Sequence, residues 1–313
     1  MITLAKYVQK FSKLKVDRSK GQPAPHKAIL LISVIQGISE GEIIQNKIFI
    51  TPELVARFKD NWNTLNHDIR FKPNFSLPFF HLKSEGFWHL QMIYGRELLL
   101  TSSHSIKSFS SLKSAIDYAY LDEPLFEILT NQESRQILLR ILMNTYFNGQ
   151  NIPVNGSGLI SDIENQILHE SASHYQQEIE NADEEEVFVR SNVFKRVIPR
   201  VYNDTCCISN TRIICRNIQM IDACHIMPFS LSHDDTVTNG LSLTPSIHRA
   251  FDSFLITISP DFKVVVSDQF IESGNHPLKR FNGTQISLPD HEKYHPSTSN
   301  LSWHYERFIE QNH

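Results

Sequence analysis

Cysteine is scarce in this chain and confined to one stretch of it. The 313 residues include four cysteines, Cys206, Cys207, Cys215 and Cys224, and no two of them form a Cys-x-x-Cys pair. Structural zinc sites usually take ligands from such pairs, and secreted disulfide scaffolds are richer in cysteine. The sequence therefore argues against both classes, and we expect the four thiols to be reduced and mostly buried.

Long apolar runs are missing as well. No stretch approaches the roughly 20 apolar residues that a membrane-spanning helix requires. The first 15 residues, MITLAKYVQKFSKLK, have the pattern of an amphipathic helix rather than of a signal peptide. With 41% hydrophobic and 20% charged residues, the composition is that of an ordinary globular protein. These features predict a cytoplasmic protein with no membrane partner.

Positive charge is absent from the middle of the chain. Residues 151–189 hold nine acidic residues and no Lys or Arg, whereas residues 1–150 hold 18 Lys and Arg against 13 Asp and Glu. Residues 190–313 hold 12 of each sign, so the formal net charge of -4 averages over unlike parts. If the partner is nucleic acid, the N-terminal part supplies most of the electrostatic attraction.

The acidic segment marks a predicted domain boundary. We expect a mixed α/β domain in residues 1–147, an acidic and partly helical linker in residues 148–188, and a second domain in residues 189–313, which makes an α+β fold. The acid run at residues 183–186 has two interpretations. It is either a solvated helix end or a segment that occupies a basic DNA groove when DNA is absent.

Residues 221–267 carry the clearest chemical pattern. The order predicted there is a strand (IDACHI), a polar loop, a short helix (LTPSIHRAFD) and two further strands. His248 and Asp252 have i, i+4 spacing and therefore share one helical face, which suits a pair of metal ligands. Phosphodiester hydrolysis needs a base to deprotonate water and a divalent cation to neutralise charge on the phosphate.

The ordered set HIxP, NGL and HxxFD resembles the HNH (ββα-metal) endonuclease family. The resemblance implies a C-terminal ββα-metal nuclease domain with His225 as general base, Asn239 as the residue that braces the loop, and His248 as a ligand of Mg²⁺, Mn²⁺ or a similar ion. Many members place an acid directly before the first histidine, where this chain has Cys224. The carboxylate ligand is therefore either Asp222 or Asp252.

The N-terminal part is predicted to contain a buried helix (HKAILLISVIQGI), a helix that begins after Thr51, an aromatic loop and strand in NFSLPFFHLKSEGFWHLQMI, and closing helices from Ser110 to Tyr146. Two clusters there combine basic groups with an apolar, proline-containing surface, which suits a phosphate whose oxygen is replaced by a larger, less polar atom. The candidate DNA-binding residues are Arg18, His26, Lys27, Leu77, Pro78, Phe79 and His81.

The elements PAPHKAILL, Pro-Phe-x-His-Leu and GFWHL resemble the sulfur-binding domain that is fused to HNH nucleases acting on phosphorothioated DNA. The resemblance implies an apolar pocket that includes a proline and receives the sulfur, with flanking basic residues on the DNA backbone. His26 and Lys27 match its Pro-His-(Arg/Lys) element, and Leu77 and Pro78 match its Tyr-Pro element. Leu77 in place of tyrosine is a departure that affects base preference or affinity.

Together the two resemblances predict a type IV, modification-dependent restriction endonuclease. Its partner is double-stranded modified DNA, and a homodimer is compatible with the sequence. Two alternatives stay open. The N-terminal domain reads a modified base such as methylcytosine by extruding it, or the nuclease centre is silent and the protein only binds DNA.

Overall fold

The secondary structure is mainly helical, with three small antiparallel sheets in the described residues. The computed structural model describes residues 2–96, 106, 108–151, 158–214, 220–275 and 277–312. The helices are α1 (Ile2–Ser12), α2 (His26–Ser39), α3 (Pro52–Leu65), α4 (Ser76–His81), α5 (Phe109–Ala115), α6 (Glu123–Thr130), α7 (Gln132–Tyr146), α8 (Gly158–His169), α9 (Ala172–Ile179), α10 (Glu184–Val201), α11 (Phe229–Ser232), α12 (Pro245–Asp252) and α13 (Thr298–Asn312). The strands are β1 (Ile48–Phe49), β2 (Trp88–Met92), β3 (Ile116–Leu121), β4 (Asp222–His225), β5 (Gly240–Leu243), β6 (Ile256–Ile258) and β7 (Val264–Val266). Across these residues, no helix combines the length and apolar character needed to cross a membrane.

The chain divides into two compact units. The N-terminal unit is Met1–Ser161 with Asp183–Val189, and the C-terminal unit is Asp162–Ala182 with Arg190–His313. The predicted linker, residues 148–188, is therefore shared between the units rather than forming a separate piece. The reason is burial: α8 and α9 place apolar side chains such as Ile163 and Tyr175 in the core of the C-terminal unit.

The N-terminal unit is built around α2, which is buried along almost its whole length. Helix α3 begins as its sequence predicts, because the Thr51 side chain accepts a hydrogen bond from Leu54 N at 3.2 Å and Pro52 occupies the first helical position. The sheet has the order β1-β3-β2, with Ala119 of β3 opposite both Ile48 and Leu90.

Two local predictions in this unit are wrong. Residues 116–121, expected within closing helices, form β3, because IDYAYL is rich in β-favouring side chains and hydrogen-bonds to strands on both edges. The segment FSLPFFH, expected to be an aromatic loop, forms α4. Phe79 and Phe80 of α4 are fully buried, so their packing overrides the loop signal of Pro78.

The acid run forms the start of α10, and it is not simply a solvated helix end. Glu185 is 5% exposed and accepts a hydrogen bond from Phe75 N at 2.7 Å, directly before α4. Both carboxylate oxygens of Asp183 lie 2.7 Å from Lys59 Nζ. Burial raises the pKa of Glu185 to about 7, with nearby Asp183 contributing in the same direction.

The C-terminal unit places a short hairpin beside a helix. Strands β4 and β5 are antiparallel, with Cys224 opposite Leu241, and α12 follows β5 directly. Behind α12, the buried His304 ring of α13 stacks on Phe251 at 3.7 Å and accepts or donates a 2.8 Å hydrogen bond with Thr257 Oγ1. Burial lowers the pKa of His304 to about 4. Cys206, Cys207 and Cys224 are free and buried as expected, and Cys215 lies outside the described residues.

Candidate active site and candidate nucleic-acid interface

The β4–β5 hairpin and α12 carry the residues that the motif singles out. Strand β4 ends at His225, Asn239 lies immediately before β5, and α12 carries His248. Pro245 at the first position of α12 sets the start of this helix, which is about two turns long. The strand, loop and helix order thus holds three segments of sequence around one site.

His225 is fixed by two neighbours. Its Nε2 atom lies 2.7 Å from Oδ1 of the buried Asp235, and its ring stacks flat on Phe194 of α10, with centroids 4.0 Å apart and planes 3° apart. The other oxygen of Asp235 accepts a 3.3 Å hydrogen bond from the Tyr175 hydroxyl. When Nε2–H donates to Asp235, Nδ1 is left with its lone pair and can accept a proton.

Asn239 is completely buried and holds the loop between β4 and β5. Its Nδ2 donates to the carbonyl oxygens of Met227 and Asp234, both at 2.9 Å, and its Oδ1 accepts from Met227 N at 2.9 Å. Asn300 of α13 donates a further 3.0 Å hydrogen bond to the same oxygen. These contacts give Asn239 the loop-bracing geometry that the resemblance implies, and they set the position of the segment that carries Asp235.

His248 lies between the two candidate carboxylates. Its Nδ1 is 3.2 Å from Asp222 Oδ2, and its Nε2 is 3.3 Å from Asp252 Oδ2. A ligand atom of Cys224, one of His248 and one of Asp252 all lie within 4.8 Å of one another. Imidazole, thiol and carboxylate groups are donors that divalent transition ions accept, so these residues could hold a metal ion.

Three contributors to this site have no counterpart among the sequence-predicted residues. Asp235, Phe194 and Tyr175 orient His225 from the loop, from α10 and from α9 respectively. The only sequence signal for Asp235 is its place in the polar loop of the motif. Phe194 and Tyr175 come from segments remote in sequence, and nothing local distinguishes them from ordinary core aromatics.

The N-terminal unit contains an open cavity of about 830 Å³ beside α4. Its lining includes the apolar side chains of Leu77, Pro78 and Phe71. Around these lie basic and imidazole side chains, namely Lys15, Lys20, His26, Lys27, Arg70, Lys72 and His81. The cavity therefore combines an apolar surface with cationic groups, as the sequence predicts from the two clusters.

Both histidines of the cavity favour the neutral form. Burial lowers the pKa of His26, and its Nε2 is hydrogen-bonded to the Lys72 carbonyl oxygen at 2.9 Å. Burial, with Lys27 and Lys83 nearby, lowers the pKa of His81. Near neutral pH the positive charge of the cavity therefore comes from its lysines and Arg70, of which Lys27 and Arg70 are balanced by ion pairs with Glu85 and Asp68.

The other three residues predicted to contact DNA are Phe79, Lys27 and Arg18, and the structure places each in a different environment. Phe79 is fully buried and packs on Phe75 and Trp88, which contradicts its prediction as a DNA contact. The helical periodicity of α4 places its side chain in the core. Lys27 lines the cavity, but its Nζ donates to Lys15 O at 2.8 Å and pairs with Glu85 Oε1 at 2.5 Å. Arg18 is exposed and is not part of the cavity lining.

Two family models match the chain in separate regions. Residues 4–154 match the ScoMcrA-like DNA sulfur-binding domain, and residues 206–259 match the HNH_2 family of HNH endonucleases. Both resemblances inferred from sequence, and the predicted α+β fold with an N-terminal sulfur-binding domain and a C-terminal HNH domain, are thereby confirmed. No curated protein matches the chain.

Solved structures give weaker likenesses. The sulfur-binding domain of ScoMcrA complexed with phosphorothioated DNA is 19% identical, with a TM-score of 0.36 over 50% of this chain and 93% of that one. The sulfur-binding domain of SprMcrA complexed with phosphorothioated DNA is 20% identical, with a TM-score of 0.36 over 47% of this chain and 88% of that one. The modification-dependent TagI restriction endonuclease is 19% identical, with a TM-score of 0.27, and each chain covers 36% of the other.

Proposed function

We propose that this chain, which joins a ScoMcrA-like DNA sulfur-binding domain to an HNH endonuclease domain, is a modification-dependent DNA endonuclease. Its N-terminal unit binds phosphorothioated double-stranded DNA, and its C-terminal unit hydrolyses the phosphodiester backbone. The observation that carries the proposal is the pairing, in one chain, of an apolar cavity with a cationic rim and a histidine held by a buried carboxylate beside a cluster of metal-ligand donors.

His225 is the general base in this proposal. Its Nε2 is occupied by Asp235 and its ring plane is fixed by Phe194, so Nδ1 is the atom that takes a proton from the attacking water. Asp235 stabilises the positive charge that His225 acquires. A divalent cation held by His248 and a carboxylate would neutralise charge on the phosphate and on the leaving oxygen.

Sulfur discrimination fits the character of the cavity. Sulfur is larger and less strongly hydrated than oxygen, so it gains more from contact with apolar side chains such as Leu77 and Pro78. A phosphorothioate keeps its negative charge, which the rim lysines attract. Binding to a mark raises the local concentration of the nuclease on that DNA, so we expect cleavage near the mark without a strict sequence at the cut.

The proposal is tested with matched plasmids that carry phosphorothioate, methylcytosine or no modification. Purified protein is incubated with each in the presence of Mg²⁺ or Mn²⁺, and then with EDTA. We expect cleavage of the phosphorothioated plasmid, loss of cleavage in EDTA, and little cleavage of the other two. Cleavage confined to the methylated plasmid would identify a modified-base reader instead, and metal-dependent cleavage of none, with binding retained, would identify a silent nuclease.

Two further expectations belong to this proposal. A restriction activity of this kind acts in the cytoplasm, where foreign DNA enters the cell.

A single HNH centre cuts one strand, so we propose that a homodimer makes the double-strand break. Sedimentation of the protein with and without marked DNA tests the dimer, and nicks without linear product from a monomer would contradict it.

A further inference from the structure

Cys224 occupies the position directly before the proposed base, where an acidic residue is expected. Its Sγ and ligand atoms of His248 and Asp252 lie within 4.8 Å of one another, and Sγ is 3.9 Å from Asp252 Oδ1. Cys224 is fully buried, whereas the side chains of His248 and Asp252 are 26% and 61% exposed. The three donors are therefore closed on the sulfur side and open to solvent on the carboxylate side, where a substrate oxygen or water would have access to a bound metal ion.

The strand geometry explains why the thiol belongs to this cluster. Side chains alternate along β4, so Asp222 and Cys224 share one face while His225 lies on the other. The shared face is the one that contacts His248 of α12, and the opposite face contacts Asp235 and Phe194. Replacing the expected acid by cysteine therefore changes the metal side of the site and leaves the base untouched.

The two nitrogens of His248 distinguish its two carboxylates. Nδ1 faces Asp222 at 3.2 Å, and Nε2 faces Asp252 at 3.3 Å. A metal-bound histidine usually donates its other N–H to a carboxylate, which fixes the ring and its tautomer. Asp222 suits that outer role, because it is not part of the group whose ligand atoms converge, whereas Asp252 is.

We propose that Cys224, His248 and Asp252 are the protein ligands of the nuclease metal, with Asp222 as a positioning residue for His248, and that the sulfur biases the site toward Zn²⁺ or Co²⁺ over Mg²⁺. Only the role given to the metal, which is to assist phosphodiester hydrolysis, rests on the proposed function; the assignment of the ligands does not. Thiolate is a soft ligand that suits zinc and cobalt, whereas magnesium requires oxygen ligands. Coordination replaces the S–H bond by an S–metal bond and releases the thiol proton to solvent.

The test uses the full chain loaded with Co²⁺, because a thiolate bound to Co²⁺ gives a near-ultraviolet charge-transfer band that oxygen and nitrogen ligands do not. We expect this band in the wild-type protein and its loss in Cys224→Ser. Cys207→Ser and Cys215→Ser are the matched controls, and both should keep it. The second donor cluster of the described residues, Glu170, His174 and Glu178, has no sulfur and cannot contribute to the band.

Competition experiments then measure metal preference and the role of Asp222. By calorimetry, Cys224→Ser should lower Zn²⁺ affinity at least about 10-fold, and Cys224→Asp should shift preference toward Mg²⁺ and Mn²⁺. Asp222→Asn should keep the charge-transfer band but weaken Zn²⁺ binding by roughly 10- to 100-fold, as outer partners of metal-bound histidines do. Rescue of that affinity by Asp222→Glu would separate positioning from a general loss of folding.

A wild-type Co²⁺ complex without the band, or a band that survives in Cys224→Ser, would overturn the ligand assignment. If Cys224→Ser fails to fold, the wild-type spectrum and the metal preference of Cys224→Asp still decide it. Because these measurements contain no DNA, failure to cleave phosphorothioated plasmid would reject the proposed function without changing their outcome.

Discussion

The candidate nuclease centre and the cavity of the N-terminal unit hold their polar groups in opposite ways. At the centre, His225 is paired with the buried Asp235 and Asn239 is fully buried, with hydrogen bonds on both amide atoms. In the cavity, exposed cations such as Lys72 surround an apolar surface formed by the exposed Leu77 and the buried Pro78. Catalysis depends on preorganised groups, whereas backbone recognition distributes its energy over many charge and apolar contacts. Single substitutions should therefore cost more at the centre than in the cavity.

The largest effect is expected for His225→Ala. Loss of a general base typically lowers the rate about 10²- to 10⁴-fold. Affinity for marked DNA, measured by fluorescence anisotropy in EDTA, should stay within the error of the wild type because recognition belongs to the other unit. His233→Ala, an exposed histidine of the same loop, is the control and should cleave normally. Wild-type cleavage by His225→Ala would refute the assignment of the base.

The second-largest expected effect is on the free energy of unfolding as a function of pH. Raising the pH lowers the contribution of a buried acid in the N-terminal unit and restores the contribution of a buried histidine in the C-terminal unit. Glu185 has a pKa raised to about 7, so its contribution to stability is present below pH 4.5 and is lost as pH rises through 7. His304 has a pKa lowered to about 4 from 6.5, so its contribution is present above pH 6.5 and is lost as pH falls through 4. Each difference of pKa corresponds to about 3 kcal/mol at full extent.

Calorimetric melting from pH 4.5 to 8.5 measures both contributions. Relative to the wild type, Glu185→Gln should gain stability above pH 7, and His304→Gln should lose less stability than the wild type on acidification below pH 6. If both variants followed the wild-type pH profile in parallel, burial of these two groups would not control the stability of either unit.

Asp235→Asn should have a smaller effect than loss of the base itself. The amide keeps the shape but removes the negative charge that stabilises protonated His225, so we expect a rate lower by roughly 10- to 100-fold. The change should appear in kcat with KM nearly constant, because Asp235 lies behind the imidazole and does not reach the substrate. Asp234→Asn, the adjacent buried acid, is the matched control. Equal loss in the two variants would indicate a structural role for the loop.

Next in size is the sulfur preference of the cavity. Pro78→Glu places a carboxylate against the apolar surface, where it repels the phosphorothioate and removes the apolar contact. We expect a wild-type preference for sulfur over oxygen on the order of 10-fold, and none in the variant, by anisotropy in EDTA. Pro23→Glu, which makes the same change outside this cavity, should keep the preference. An equal affinity of the wild type for both backbones would reject sulfur recognition.

The sequence predicts those features of the two sites whose residues lie close together along the chain, and it misses those whose residues are remote from one another. His225, Asn239 and His248 are predicted because a short local motif carries them, and the glycine of that motif has a steric reason. A Cβ at Gly240 would overlap the side chain of Ile198 of α10. Helix α10, which requires this glycine, is remote from the motif in sequence, so the motif alone does not reveal which element packs against Gly240.

The parts that sequence reasoning missed all depend on tertiary packing. Tyr175 comes from the acidic segment predicted as a linker, and its hydroxyl reaches Asp235 only because α9 is buried in the C-terminal unit. Phe79 matched a plausible DNA-binding cluster, but the fold of α4 turns it into the core. Lys27 matched a basic element, yet its partner Glu85 lies 58 residues away.

The smallest effect separates two lysines of the cavity. Lys72 is exposed, and its ammonium group has no hydrogen-bond partner within the described part of the chain, so it is available to a phosphate. Lys72→Ala should weaken binding to sulfur and oxygen backbones alike and reduce the slope of log affinity against log salt by about one. The charge of Lys27 is already balanced by Glu85, so Lys27→Ala should leave the salt slope unchanged and instead lower the melting temperature, because it leaves a buried carboxylate unpaired. The double variant Lys27→Met with Glu85→Leu, which removes both charges, should recover that stability and still show the wild-type slope. A salt slope reduced by Lys27→Ala but not by Lys72→Ala would reverse the assignment and give Lys27 the phosphate.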